Sequence, residues 1–218
     1  MDKGVIFSAP MVRALLDGRK TQTRRLISGR NEVARCLLNA GFDDSYILDP
    51  GNAEWLQTAH HYAPGDRLYV REAYSVRGIY SDVVEVGYQA HQNASHTEFV
   101  EQWPVASAID AKGKRPVVTW PSYKPSIHMP RWASRLWLAV TDVRVQRVQE
   151  ISEEDARAEG IETTEFWRDK HPASICFSVL WDSLHTKHGE RWNDNPWIVA
   201  ITFDVNHGNI DASGKGQP

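Results

Sequence analysis

The sequence predicts an α+β fold. Three observations carry that reading. Short runs of period-two alternation recur along the chain, only a few segments repeat at helical spacing, and the two never alternate as regular strand–helix–strand units. The 218 residues, 41% hydrophobic and 24% charged, have an ordinary globular composition and suffice to bury a core. They fit one domain over residues 1–206, enlarged by insertions at about 28–63 and 91–130 and followed by a tail. The sequence contains no internal repeat.

Val5-Ile6-Phe7 predicts a short strand. Ser8 then stands at an N-cap, Pro10 in the first turn, and Met11, Leu15 and Leu16 at helical spacing, with Gly18 where a C′ glycine ends a helix. Residues 28–63 carry few clear periods and read as the first insertion. Pro64-Gly65-Asp66 marks a turn into Arg67–Tyr74, where Leu68, Val70 and Glu72 alternate with Tyr69, Arg71 and Ala73 as in a strand. A second strand is expected over Val83–Gln89, before a long excursion over 91–130 that is rich in Pro, Ser, Lys and Trp. Arg135–Val148 predicts one long strand, or two joined by a bend, with Leu136, Leu138 and Val140 on one face. Ser152 with Asp155 three residues on is a capping-box pattern, opening a helix that ends near Gly160. Pro172–His188 predicts an amphipathic helix through Ile175, Val179, Leu180 and Leu184, and Trp197–Val205 the final strand. Residues 207–218, rich in Gly, Ser, Asp and Lys, predict a disordered tail.

Several function classes are disfavoured. A net charge of −3 argues against a protein that coats duplex DNA, which draws mainly on phosphate neutralisation, but leaves room for a site for one nucleotide or one exposed base. Most of the nine tryptophans are expected in the core, Trp132 and Trp137 included, with some left as stacking platforms. Cys36 and Cys176 are far apart and have no CxxC partner, so neither a disulfide framework nor a thiolate zinc site is predicted. His60-His61 and His185-x-x-His188 lack a carboxylate or cysteine at metal-binding spacing, and neither a phosphate-cradling glycine loop nor a Gly-x-Ser-x-Gly elbow occurs. No metal or cofactor is called for. Arg13 interrupts the first apolar stretch before a signal peptide can form, and no apolar run approaches the ~20 residues that span a bilayer. The expectation is a soluble cytoplasmic protein with no membrane partner.

The chemistry concentrates in Gly18-Arg19-Lys20-Thr21-Gln22-Thr23-Arg24-Arg25. Guanidinium groups grip phosphate or a polar base edge in a fixed fork, and like charges beside Lys20 disfavour its protonated form. A lysine so tuned can take a proton from a threonine hydroxyl and make it a nucleophile. The alternative is a solvated basic turn. Lys20 and Thr23 share a face on a helix but point to opposite sides of a strand, so their convergence behind Gly18 requires a turn or bulge, with Thr21 as the rival hydroxyl. Glu159 in the last turn of its helix meets the negative end of the dipole, which suits a general acid or base. Arg71 and Glu72 are charges in an otherwise apolar strand, where the buried one needs a partner: the basic segment or a separate structural ion pair.

Three segments together resemble a known family. Phe7-Ser8-Ala9-Pro10 leading into Gly18–Arg24, then Pro64–Glu72, then Ile151–Gly160 match in order the motifs of the ASCH family, a branch of the PUA-like superfamily. The closing Asn195-Pro196-Trp197 is similar to a subgroup found largely in phages and prophages, whose members would act in the bacterial host cytoplasm. The resemblance implies a PUA-like mixed β-barrel with flanking helices, its two long insertions a departure from the compact members, and a cleft beside the basic segment. It also implies binding of RNA or modified bases. One small ASCH enzyme is an amidohydrolase that deacetylates N4-acetylcytidine, and its proposed catalytic group carries over to Lys20, Thr23 and Glu159. Arg19, Thr21, Arg24, Arg25, Arg71 and Glu72 are the expected substrate-binding residues, for a nucleoside, a nucleotide or single-stranded RNA. The alternatives are a non-catalytic reader of RNA or modified bases, a ribonuclease, and a phage assembly or host-interaction protein. Oligomeric state is not readable.

Overall fold

A computed structural model describes residues 2–27, 38, 40–91, 100–161 and 171–212, and over them the chain is α+β. In chain order come β1 (Lys3–Ile6), α1 (Ala9–Leu16), β2 (Gln22–Leu26), α2 (Asp44–Ile47), α3 (Ala53–Ala59), β3 (Arg67–Arg71), β4 (Tyr74–Ile79), β5 (Val83–Tyr88) and β6 (Val100–Pro104). Then follow β7 (Leu136–Arg147), α4 (Glu153–Ala158), α5 (Ala173–Leu184) and β8 (Trp197–His207). The strands form a mixed sheet in the order β1-β3-β7-β8-β2 and an antiparallel sheet β4-β5-β6. Among the described residues no helix is long and apolar enough to cross a membrane. The chain divides into two compact units, and β7 and β8 run through both.

The first unit comprises Met1–Gly18, Asp66–Ala139 and Asp204–Pro218. β1 pairs parallel with β3, Val5 opposite Val70, and β3 antiparallel with the start of β7, Leu68 opposite Leu138. Leu68, Val70, Leu136 and Leu138 are buried, as their alternation requires. α1 ends as its sequence predicts, with Gly18 at φ +68° and its N–H on the Leu15 carbonyl at 3.1 Å. β4 and β6 have no clear forecast in the sequence. Tyr74 and Val76 of β4 join Val84, Val86 and Tyr88 of β5 against Met129 and Trp132, with Trp103 of β6 packed on the cluster, which confirms Trp132 as core. Trp137 is half-buried, with the Arg67 guanidinium 5.7 Å from its ring centre.

The expected tail needs correction over residues 207–212. β8 continues to His207, and the chain beyond it is packed: Ile210 is buried, and Asn209 Nδ2 donates to the carbonyls of Arg131, Trp132 and Ser134 at 3.0, 3.0 and 2.8 Å. A polar composition reads as unstructured, yet Asn209 satisfies the Trp132 and Ser134 carbonyls and adds a second donor to that of Arg131, which also accepts from the Ser134 N–H. The rest of the predicted tail, 213–218, lies outside the described residues, as does Cys36; Cys176 is a free thiol.

The second unit comprises Arg19–Gly65 and Val140–Phe203. β2 pairs antiparallel with β8 over its whole length, from Gln22 opposite Thr202 to Leu26 opposite Ile198. Helices α2 and α3 stand in the segment expected to be irregular and bury Ile47 and Leu56 against Trp197. α4 begins where Ser152 Oγ accepts from the Asp155 N–H at 3.0 Å, and ends with Glu159 as C-cap and Gly160 at φ +72°. α5 forms where predicted, but it stops at Leu184, short of the expected His188, and turns a different face inward. Phe177 and Trp181 are buried with Val148, Ile151, Ile198 and Ala200, while Ile175, Val179 and Leu184 are exposed, Val179 by 64%. The aromatic pair wins because each ring removes more apolar surface from water than a branched aliphatic side chain.

Candidate functional site

Within the second unit, two periodicities meet. Gln22 and Arg24 lie two apart on β2 and project from one face of the strand; Asp155 and Glu159 lie four apart and share one face of α4. The two faces are bonded together. Arg24 donates from Nη2 to Asp155 at 2.9 Å and from Nη1 to Glu159 at 3.2 Å and to Gln22 Oε1 at 2.5 Å. Gln22 Nε2 donates to Asp155 and to Thr202 Oγ1, both at 3.1 Å, and Arg144 reaches Asp155 at 3.2 Å. The Arg24 guanidinium also lies 5.7 Å from the centre of the Phe177 ring.

Lys20, just ahead of β2, completes the cluster. It bridges to Glu159 through the backbone, and the neighbouring Thr21 N–H donates to the Ala158 carbonyl at 2.9 Å. Its Nζ donates to Glu159 Oε2 at 2.6 Å, to the Glu159 carbonyl at 2.9 Å and to the Gln22 carbonyl at 2.8 Å. Lys20 is only 1% exposed. Both carbonyls can only accept, so three contacts of this kind describe an ammonium that has placed all its hydrogens. Burial pulls the Lys20 pKa below its ordinary value; the contact with Glu159 opposes this, and Arg25 and Arg24 add to it. Crowding by arginines therefore acts in the predicted direction but behind desolvation. Burial likewise lowers Arg25, with Tyr62 and Glu159 acting the other way.

The carried-over residues thus meet in part. Lys20, Arg24 and Glu159 share one bonded cluster. Thr23 is buried, but β2 pairs without a bulge through Gln22–Leu26, so alternation sends its side chain to the face opposite Gln22 and Arg24. Arg19 and Thr21 are exposed on the adjoining turn, Arg19 donating to the Gly160 carbonyl at 3.2 Å. Asp155 and Gln22 are members that the sequence reading missed. Their signal was present: an alternating Lys20-x-Gln22-x-Arg24 set facing an Asp155-x-x-x-Glu159 set. The carboxylates Asp155 and Glu159 face the cations Lys20, Arg24 and Arg144, and Arg144 also meets Asp142 at 3.1 Å, so the charges of the bonded cluster balance and Arg25, close enough to act on Lys20, is the one cation in excess.

Arg71 and Glu72 belong to the first unit, where Glu72 finds a partner other than the basic segment. Glu72 takes a bidentate contact from Arg135, Nε at 2.9 Å and Nη2 at 3.1 Å, with both side chains buried. Arg135 also stacks 4.1 Å from the centre of the Tyr88 ring and meets His91 Nε2 at 2.7 Å. Arg71 donates to the Ile127 carbonyl. The charge that continues the Leu68–Val70 face is thus held by a structural ion pair. Among the other histidines, His185 stacks on Trp181 at 3.9 Å, and His60 Nδ1 accepts from the Tyr62 N–H at 3.3 Å. Comparison with family models, with curated proteins and with solved structures finds no match to this chain.

Proposed function

We propose that this chain is an ASCH-type, PUA-like protein that binds a nucleoside, a nucleotide or an exposed base of single-stranded RNA at the Lys20–Glu159 cluster. The observation that carries the reading is the Lys20–Glu159 contact itself. The resemblance pairs two residues 139 positions apart, and their side chains lie 2.6 Å from each other in a buried setting. In such a setting Arg24 and Lys20 fix the Glu159 carboxylate, while the exposed Arg19 and Thr21 offer donors to a ligand at the turn.

Two chemistries remain for the bound base. In the amidohydrolase reading Lys20 hands a proton to Glu159 and becomes the base for a threonine hydroxyl, which attacks the acyl carbon of an N4-acetylcytidine-type substrate. Glu159 protonates the leaving amine and then takes a proton from water, which hydrolyses the acyl-threonine to acetate and restores the hydroxyl. The non-catalytic reading, a module that reads a modified base, is favoured by two observations: the three acceptors on Lys20 Nζ and the opposite-facing side chain of Thr23. Purified protein is incubated with N4-acetylcytidine, with cytidine followed by chromatography and binding by calorimetry, alongside Thr21→Val and Thr23→Val. Cytidine production lost in one threonine variant, and falling as pH rises through a limb below the ordinary lysine value of 10.5, where the pair loses the one proton it shares, establishes the enzyme and its hydroxyl. Binding without turnover establishes the reader. Neither binding nor turnover, for nucleoside or for RNA, overturns the proposal.

A further inference from the structure

Residues 111–141 contain no aspartate or glutamate, in a chain whose net charge is −3. The cations of this stretch divide into two groups. Arg131 and Arg135 are bound by Asp2, Asp211 and Glu72. Lys112, Lys114, Arg115 and Lys124 form no ion pair among the described residues. The nearest acid in sequence, Asp110, accepts from the N–H groups of Lys112 and Lys114 at 2.9 and 2.8 Å and so shapes the basic turn; its charge is also felt by both lysines without an ion-pair contact, which leaves the turn with three cations to one carboxylate.

This segment is fastened to the first unit. Lys124 and Tyr74 exchange backbone bonds of 3.1 and 2.7 Å, Thr119 and Trp120 donate to the Val76 carbonyl at 2.8 and 3.1 Å, and Thr119 Oγ1 accepts from the Val76 N–H at 2.9 Å. Its Thr119–Lys124 part therefore lies along the side of β4 away from β5. On it stands Trp120, its ring centre 3.8 Å from the Arg77 guanidinium and 6.1 Å from that of Tyr123, the two rings nearly perpendicular. Arg77 reaches this position across Gly87, where a Cβ would come within 2.8 Å of its Nε. Although the guanidinium covers part of it, Trp120 remains 41% exposed. An indole held from behind, with unpaired cations on both sides of it in the chain, matches the needs of a flexible polyanion carrying flat rings.

We propose that the Lys112–Lys124 strip binds single-stranded nucleic acid, a base stacking on Trp120 and phosphates held by Lys112, Lys114, Arg115 and Lys124. The proposal goes beyond the function above: it uses no residue of the Lys20–Glu159 cluster and stands or falls separately.

The test is fluorescence anisotropy of labelled oligo-U and oligo-dT strands of about 12 nucleotides, at about 50 and about 200 mM salt. Wild type should bind and weaken with salt. K112Q/K114Q/R115Q should weaken binding at least ~10-fold and flatten the salt slope by about 2, given a slope of about 0.7 per phosphate contact on single strands. Trp120→Ala should weaken the strands roughly 5- to 100-fold, Trp120→Phe much less, and neither should change binding of heparin, a polyanion without bases. Tighter binding of oligo-U or of oligo-dT identifies the strand as RNA or DNA. Thermal melts check that each variant folds, and N4-acetylcytidine binding should be unchanged in all of them. Three results overturn the proposal: no strand binding at low salt, strand binding indifferent to these substitutions, or binding that needs the cations but not Trp120, which would leave only a polyanion patch.

Discussion

Lys20 carries a charge into a site where water cannot solvate it, and the charge persists because each of its hydrogens meets an acceptor. Removing one partner of such a buried pair leaves the other uncompensated. Lys20→Met should therefore cost about 3–5 kcal/mol in urea unfolding, and Glu159→Gln should also destabilise. The double variant should cost clearly less than the sum of the singles, because the second change removes a charge that the first had stranded. Additive losses would mean that the two side chains are not coupled. The Glu72–Arg135 pair follows the same rule in the first unit, with Tyr88 stacked on the guanidinium.

Among the elements, α5 separates a pattern from the face that is used. Helical spacing in the sequence favoured Ile175, Val179, Leu180 and Leu184, but burial falls to Phe177 and Trp181, tied further by the Trp181 indole N–H to the Glu190 carbonyl at 2.8 Å. Phe177→Ala should accordingly lose about 3–5 kcal/mol, whereas Val179→Lys on the exposed face should change stability by no more than about 0.5 kcal/mol. Thermal unfolding of the two variants reads the contrast, and equal losses would refute the assigned face. Elements with local signals were legible: α1 ends at Gly18, α4 is bounded by Ser152 and Gly160, and β7 turns Leu136, Leu138 and Val140 inward. β4 and β6 were missed because each is stabilised by a neighbouring strand more than by its own composition.

At the scale of the whole molecule, each unit is assembled from segments distant in the chain, so residues near the C-terminus hold structure made far earlier. Asn209 is the clearest case, its two amide hydrogens shared among the carbonyls of Arg131, Trp132 and Ser134. Asn209→Ala should destabilise the first unit by about 2–3 kcal/mol, since it strands buried acceptors; hydrogen exchange at the amides of β3 and the start of β7 would report it, and unchanged protection would show that the turn holds itself. The sequence by itself determined the α+β class, most strand and helix positions with their caps, and the location of the basic segment, because alternation, capping and glycine conformation act within a few residues. Only the tertiary structure decided which partner each charge received: Glu159 and Asp155 for Lys20 and Arg24, Arg135 for Glu72, and a side of β2 for Thr23 away from Gln22 and Arg24. Those pairings depend on strand register and on which groups are desolvated together, and both are set by segments more than 60 positions apart.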